Sequence, residues 1–226
     1  MVHGGAWRFG DKGHSRVVDH KVARWVTQGF VFVSVNYPML PAADPAAQAR
    51  HVARAVAHVQ DQATRWGADG QRLILMGHSA GAHLVALINA DPRPARELGA
   101  RPWLGAVALD SAALDVAPIM DVPHFRLYDD AFGPNRETWR QLSPTQVVTE
   151  EAPPLLLVCS RGRAESCAQA RGYAERARTL GVATSVLPVD LGHAAINGEL
   201  GLPSAYTRGV EAFMAGLDGA VARLLP

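Results

Sequence analysis

The sequence predicts an α/β chain, a three-layer α/β/α sandwich with a mostly parallel sheet. Two observations carry this. Short apolar runs alternate along the chain with longer stretches of helical period, the pattern of strands joined by crossover helices. The 226 residues have an ordinary globular composition, 48% apolar and 19% charged, which suits one domain, 1–226, with a sizeable core.

Taken in order, "FVFVSVNY" (30–37) reads as a buried strand, being β-branched and aromatic. "AAQARHVARAVAHVQDQATRW" (46–66) reads as a helix. Val52, Val56, Val59, Ala63 and Trp66 share one face, with Asp44 and Pro45 as N-cap and first-turn signal. "RLILMG" (72–77) is a strand, "AGAHLVALINA" (80–90) a helix, and "LGAVALD" (104–110) and "PPLLLVCS" (153–160) are strands. "CAQARGYAERARTLG" (167–181) is a helix closed by Gly181, "ATSVLPV" (183–189) the last strand, and "LPSAYTRGVEAFMAGL" (202–217) the closing helix. Residues 111–149, rich in Pro, aromatics and Asp, break the rhythm and form a candidate lid or connecting insertion.

The formal charge of +1 supplies no basic field for nucleic acid or an anionic membrane, so neither is an expected partner. No apolar run reaches the roughly 18–20 residues that span a bilayer, and no signal peptide is visible. The nine histidines and two cysteines fall in no metal-ligand spacing, and no metal or organic cofactor is expected.

The chemistry concentrates at "GHSAG" (77–81). A Gly-x-Ser-x-Gly turn between a strand and a helix holds its serine in strained backbone geometry and presents Oγ at the carboxyl end of the sheet. Ser79 is the candidate nucleophile, and the Ala80 amide, opening the helix, is a candidate oxyanion donor. "HGGAW" (3–7) adds Gly4 and Gly5 as further donors. His193 in "VDLGHAAIN", after the last strand, is the candidate base. The acid is expected between serine and histidine in chain order. Glu165, the only acid in the loop "SRGRAESCAQA", is the first candidate; Asp110, Asp115 and Asp190 are alternatives. Trp7, Phe125 and Tyr128 are candidate pocket residues, with core packing the competing role. Cys159 and Cys167 flank Glu165, so a disulfide would pin the acid loop and favour an oxidising compartment; two free thiols are the alternative.

Together, "HGGAWRFGDK", "VNYPMLP", "GHSAGAHL" and "LGHAAIN" resemble the α/β-hydrolase superfamily. The resemblance is to small carboxylesterases with a His-Gly-Gly-x-Trp motif: the hormone-sensitive-lipase-like, feruloyl-esterase-like and arylformamidase branches. It implies a serine hydrolase that cleaves small to medium carboxylic esters through an acyl-enzyme. The alternatives are an arylformamidase acting on an N-formyl aromatic amide, and a non-catalytic binding protein on the same scaffold. The expected partner is a small-molecule ester or amide. Relatives carry several dozen residues ahead of the His-Gly-Gly motif, including a strand between the "FVFVSVNY" and "RLILMG" strands. The N-terminus therefore looks truncated, and the sheet is expected to have a gap there, with a mobile oxyanion segment.

Overall fold

The computed structural model describes residues 1–226. Its sheet has four parallel strands in sequence order: β1 (Ile74–His78), β2 (Gly105–Leu109), β3 (Leu155–Ser160) and β4 (Thr184–Val189). β2 and β3 are buried at every position, as strands covered on both faces must be. Alternate side chains divide two cores. Leu75, Ala106, Leu155 and Leu157 pack against α2 (Pro45–Gln62), α3 (Ala80–Ala90) and α9 (Ala164–Thr179) through Val52, Val56, Leu84, Val85 and Tyr173. Met76, Val107, Leu156 and Val158 pack against α1 (Ser15–Trp25) and α11 (Ala205–Leu217) through Trp25, Val210 and Met214. Each such large apolar side chain stabilises the fold by about 1.5–3 kcal/mol.

The caps follow the sequence. Asp44 accepts the Ala47 amide at 2.7 Å, and Pro45 takes the first turn of α2. α1 was not foreseen: its mean composition is polar, and only Val17, Lys21 and Trp25 are buried on its inner face. The 111–149 excursion holds four short helices, α5 (Ala117–Met120), α6 (Arg126–Phe132), α7 (Arg136–Gln141) and α8 (Pro144–Val147). The remaining helices are α4 (Arg93–Glu97), α10 (His193–Gly198) and α12 (Gly219–Ala222).

The expected strand at 30–37 is a correction. It joins no ladder and makes one bridge, Val35 to Val2, while Val2 also bridges Gly77 of β1. Val2 N–H donates to Met76 O at 2.8 Å and His78 N–H to Val2 O at 3.2 Å. The Met1 amino group donates to Val33 O at 2.6 Å. Only these two residues fill the space between segment 30–35 and β1. Beyond them lies an apolar cleft of about 490 Å³, lined by Met1, Phe30, Phe32, Trp66, Ile74 and Met76. High strand propensity does not make a strand without a partner to satisfy its main chain. The amides of Val31, Phe32, Val33 and Ser34 donate to no protein acceptor. Burial pushes the Met1 amino group down to about 5.

Two buried histidines couple this fold to pH. Burial pushes His78 down to about 3 and His83 to about 4. His83 accepts the Trp7 indole N–H at 3.1 Å on Nδ1 and its Nε2 lies 2.8 Å from Leu142 O, so a proton on Nδ1 would break the Trp7 bond. Both rings are neutral when folded and bind protons on unfolding below the ordinary value of 6.5. The unfolded chain then holds more protons, so stability falls as pH drops from 6.5 towards 4. Thermal melts are expected to show Tm falling by several degrees between about pH 7 and pH 5. A flat Tm across that range would remove the two histidines from the account.

Candidate active site

Ser79 sits between β1 and α3 with φ 56° and ψ −120°. This conformation is costly for a residue with a side chain, about 1–3 kcal/mol, and persists only where its surroundings enforce it. Here the enforcement is close main-chain packing. A Cβ on Gly77 would lie 2.2 Å from Gly81 O, and one on Gly81 would lie 2.3 Å from Val2 O. The Ser79 amide donates to Leu109 O at 2.9 Å, tying the turn to β2.

His193 opens the short helix α10, where a loop was expected. Its Nε2 is 3.0 Å from Ser79 Oγ. His78 packs beside it with ring centroids 4.5 Å apart and, neutral, donates from Nε2 to His193 O at 2.9 Å. Buried Lys21 donates to Asn197 O at 2.6 Å and fixes the far end of α10 against α1.

The carboxylate on His193 is Asp110, which corrects the expectation of Glu165. Asp110 is fully buried at the end of β2, with φ 55°, and its Oδ2 lies 2.6 Å from His193 Nδ1. Its Oδ1 accepts the Ser160 amide at 2.9 Å and Ser166 Oγ–H at 2.6 Å. Burial alone would raise its pKa. Hydrogen bonds from His193, Ser166, the Ser160 amide and Arg163 outweigh that and hold the carboxyl well below the usual range. Glu165 lies on the first turn of α9 with its side chain exposed, because the loop turns at Arg163 and directs Ser166 inward instead. The other candidates point elsewhere: Asp115 accepts from Gln146 at 2.9 Å, and Asp190 pairs with Arg161 at 2.5 Å on the surface.

Opposite His193, Gly4 packs on the serine: a Cβ there would be 2.9 Å from Ser79 Cβ. Gly5 has φ 124°, and a Cβ would stand 2.1 Å from Phe9 O, so the turn through Phe9 needs glycine. The amides of Gly4 and Gly5 donate to no protein acceptor, and Ala80, first in α3, has no intrahelical acceptor. Three unspent donors thus flank Ser79. Side chains anchor this segment despite the gap beside it: Tyr37 Oη–H donates to His3 O at 3.0 Å, Gln48 Nε2 to Trp7 O at 2.8 Å, and Trp7 to His83.

The three candidate pocket residues separate. Trp7 is buried in the core beside His83 and Phe132. Tyr128 is half-buried, 6.1 Å from the Trp7 ring, and Phe125 is 76% exposed. Arg8 and Asp130 pair at 2.9 Å and join the glycine segment to α6. The large apolar cleft lies behind Val2 and includes none of Ser79, Asp110 or His193.

Cys159 and Cys167 form a disulfide with Cα atoms 5.1 Å apart. It closes a ring holding Ser160, Arg163 and Ser166, three of the groups around Asp110, rather than pinning an acid loop.

The BD-FAE family model matches residues 1–96. The chain is 28% identical over 196 residues to the esterase LipQ of Mycobacterium tuberculosis, covering 81% of this chain and 46% of LipQ. It is 28% identical over 194 residues to the esterase LipC of the same organism, covering 80% of this chain and 48% of LipC. A kynurenine formamidase of Danio rerio is 31% identical over 118 residues, covering 52% of this chain and 37% of that protein. The chain thus spans about half the length of the first two curated relatives. Among solved structures, an acetyl ester-xyloside bifunctional hydrolase from Caldicellulosiruptor lactoaceticus superposes with a TM-score of 0.78 at 18% identity, covering 95% of this chain and 81% of that one. The fold is the α/β-hydrolase fold.

Reduction of the disulfide should lower stability by about 2–3 kcal/mol, the loop-closure value for so small a ring. Urea unfolding with and without reductant measures it, and coincident curves would show that the bridge contributes nothing.

Proposed function

We propose that this α/β-hydrolase-fold chain is a serine carboxylesterase. The observation that carries the reading is the relay Ser79 Oγ, His193 Nε2 at 3.0 Å, and His193 Nδ1 to Asp110 Oδ2 at 2.6 Å, set opposite three main-chain amides without partners. Ser79 Oγ attacks the ester carbonyl while His193 Nε2 takes its proton. The amides of Gly4, Gly5 and Ala80 receive the oxyanion, each such donor contributing about 10²–10³ in turnover. His193 returns the proton to the departing alcohol, and water then repeats the steps on the acyl-enzyme. Asp110 orients the imidazole and stabilises it while it is charged. Residues 111–149 act as a lid over this site, with Phe132 and Tyr128, 5.0 and 6.1 Å from the Trp7 ring, as its aromatic contacts. The esterase relatives support ester hydrolysis.

A second reading keeps the machinery and changes the bond: the similarity to a kynurenine formamidase favours an N-formyl aromatic amide. Turnover of p-nitrophenyl acetate, longer acyl esters and N-formylkynurenine compared side by side separates the two. Preference for the formamide by kcat/KM would displace the ester reading.

With p-nitrophenyl acetate, Ser79→Ala should lower kcat by about 10³-fold or more. Asp110→Asn should lower it by about 10²–10⁴-fold. Glu165→Gln should leave it within about twofold, since that carboxylate touches nothing in the relay. Unchanged turnover in Ser79→Ala would reject the nucleophile. A larger loss from Glu165→Gln than from Asp110→Asn would reverse the assignment of the acid.

A further inference from the structure

Arg163 stands where the sequence led us to expect an acid. Its Nη1 donates to Asp110 Oδ2 at 2.5 Å and lies 3.3 Å from Asp110 O. The same nitrogen is 2.7 Å from His193 Nδ1. One carboxylate oxygen is therefore shared by two cationic or potentially cationic groups, and the guanidinium touches the imidazole on the side that should face only the acid.

The proton arithmetic of that contact is restrictive. When Nδ1 carries its proton towards Oδ2, it has no lone pair for Arg163. When Nδ1 instead accepts from Arg163, the ring proton sits on Nε2, and the imidazole cannot take the proton of Ser79. As Ser79 attacks, His193 becomes imidazolium with a permanent guanidinium charge beside it. Arg163 is not needed to place the carboxylate, because Oδ1 is held independently by the Ser160 amide and Ser166 Oγ–H. Other ionisable neighbours are His78, which is neutral, Lys21, which reaches only the carbonyls of Arg16 and Asn197, Tyr206, whose hydroxyl donates to Ile196 O, half-buried Tyr128, and exposed Glu165 on the first turn of α9. Arg161 and Asp190 neutralise each other at the surface.

We propose that Arg163 is a positioning residue that restrains the base: it competes with His193 Nδ1–H for Asp110 Oδ2, favours the unproductive tautomer and opposes the imidazolium. The guanidinium is one-third exposed, and its Nε and Nη2 make no hydrogen bond within the protein, so it can leave the triangle without losing other partners. This inference rests on the proposed Ser79–His193–Asp110 relay.

The test is steady-state hydrolysis of p-nitrophenyl acetate by the full chain, with kcat and KM separated. Arg163→Gln should raise kcat by roughly three- to tenfold and leave KM within about twofold. Arg163→Lys, which keeps a positive charge, should return kcat to within about twofold of the parent. Proton NMR should show the hydrogen-bonded Nδ1–H resonance of His193 strengthened in Arg163→Gln, a readout independent of turnover. Arg163→Met replaces the glutamine variant if that one does not fold. A fall or no change in kcat, or an Arg163→Lys variant as fast as Arg163→Gln, overturns the restraint. Ser79→Ala in the Arg163→Gln background separates the two failures: if hydrolysis persists there, the relay itself is wrong; if it is abolished, only the role of Arg163 is at stake.

Discussion

Three main-chain segments meet at Gly77, Gly81 and Val2–His3 with no room for a β-carbon at either glycine. That close approach sets the position of everything else at the site. It forces the turn that carries Ser79 into a left-handed conformation and brings the start of α3 under the glycine segment, so that Gly4 rests against the serine itself. Packing is what makes such strain sustainable: the apolar faces of α3 and β1 are buried on both sides and cannot relax without exposing the core. Ser79 and the amides beside it are therefore fixed by backbone geometry, a more rigid reference than side-chain contacts alone provide.

Electrostatics completes the arrangement from the opposite side. A buried carboxylate is tolerated only with its oxygens satisfied. Asp110 meets that requirement through an amide at the end of β3, a guanidinium and a hydroxyl at the start of α9, and the imidazole that opens α10. The disulfide keeps three of those donors, on Ser160, Arg163 and Ser166, in a single short ring. Two neutral donors hold Oδ1, while the guanidinium and the imidazole share Oδ2.

Much of this was legible in the sequence. Short apolar runs gave β1 to β4 within a few residues, and Ser79 and His193 were reached through local motifs whose spacing has a direct mechanical meaning. Asp110 was only one of several alternatives, because an acid closing a strand has no local signature. What selects it is its left-handed φ and the inward turn of Ser166, neither of which a linear pattern encodes. The failed strand at 30–37 makes the complementary point. Propensity describes a segment, whereas a ladder needs two, and here the neighbour amounts to Met1 and Val2.

The amides of Val31 to Ser34 and the flank of β1 beyond Val2 form two strand edges facing an apolar hollow. Natural sheets shield such edges with charge, proline or a covering helix, and Val31, Phe32 and Val33 provide none of these. A strand laid between these edges would find main-chain partners on both sides. These open main-chain groups lie on the far side of Val2, the residue that anchors the glycine turn, away from Ser79, Asp110 and His193.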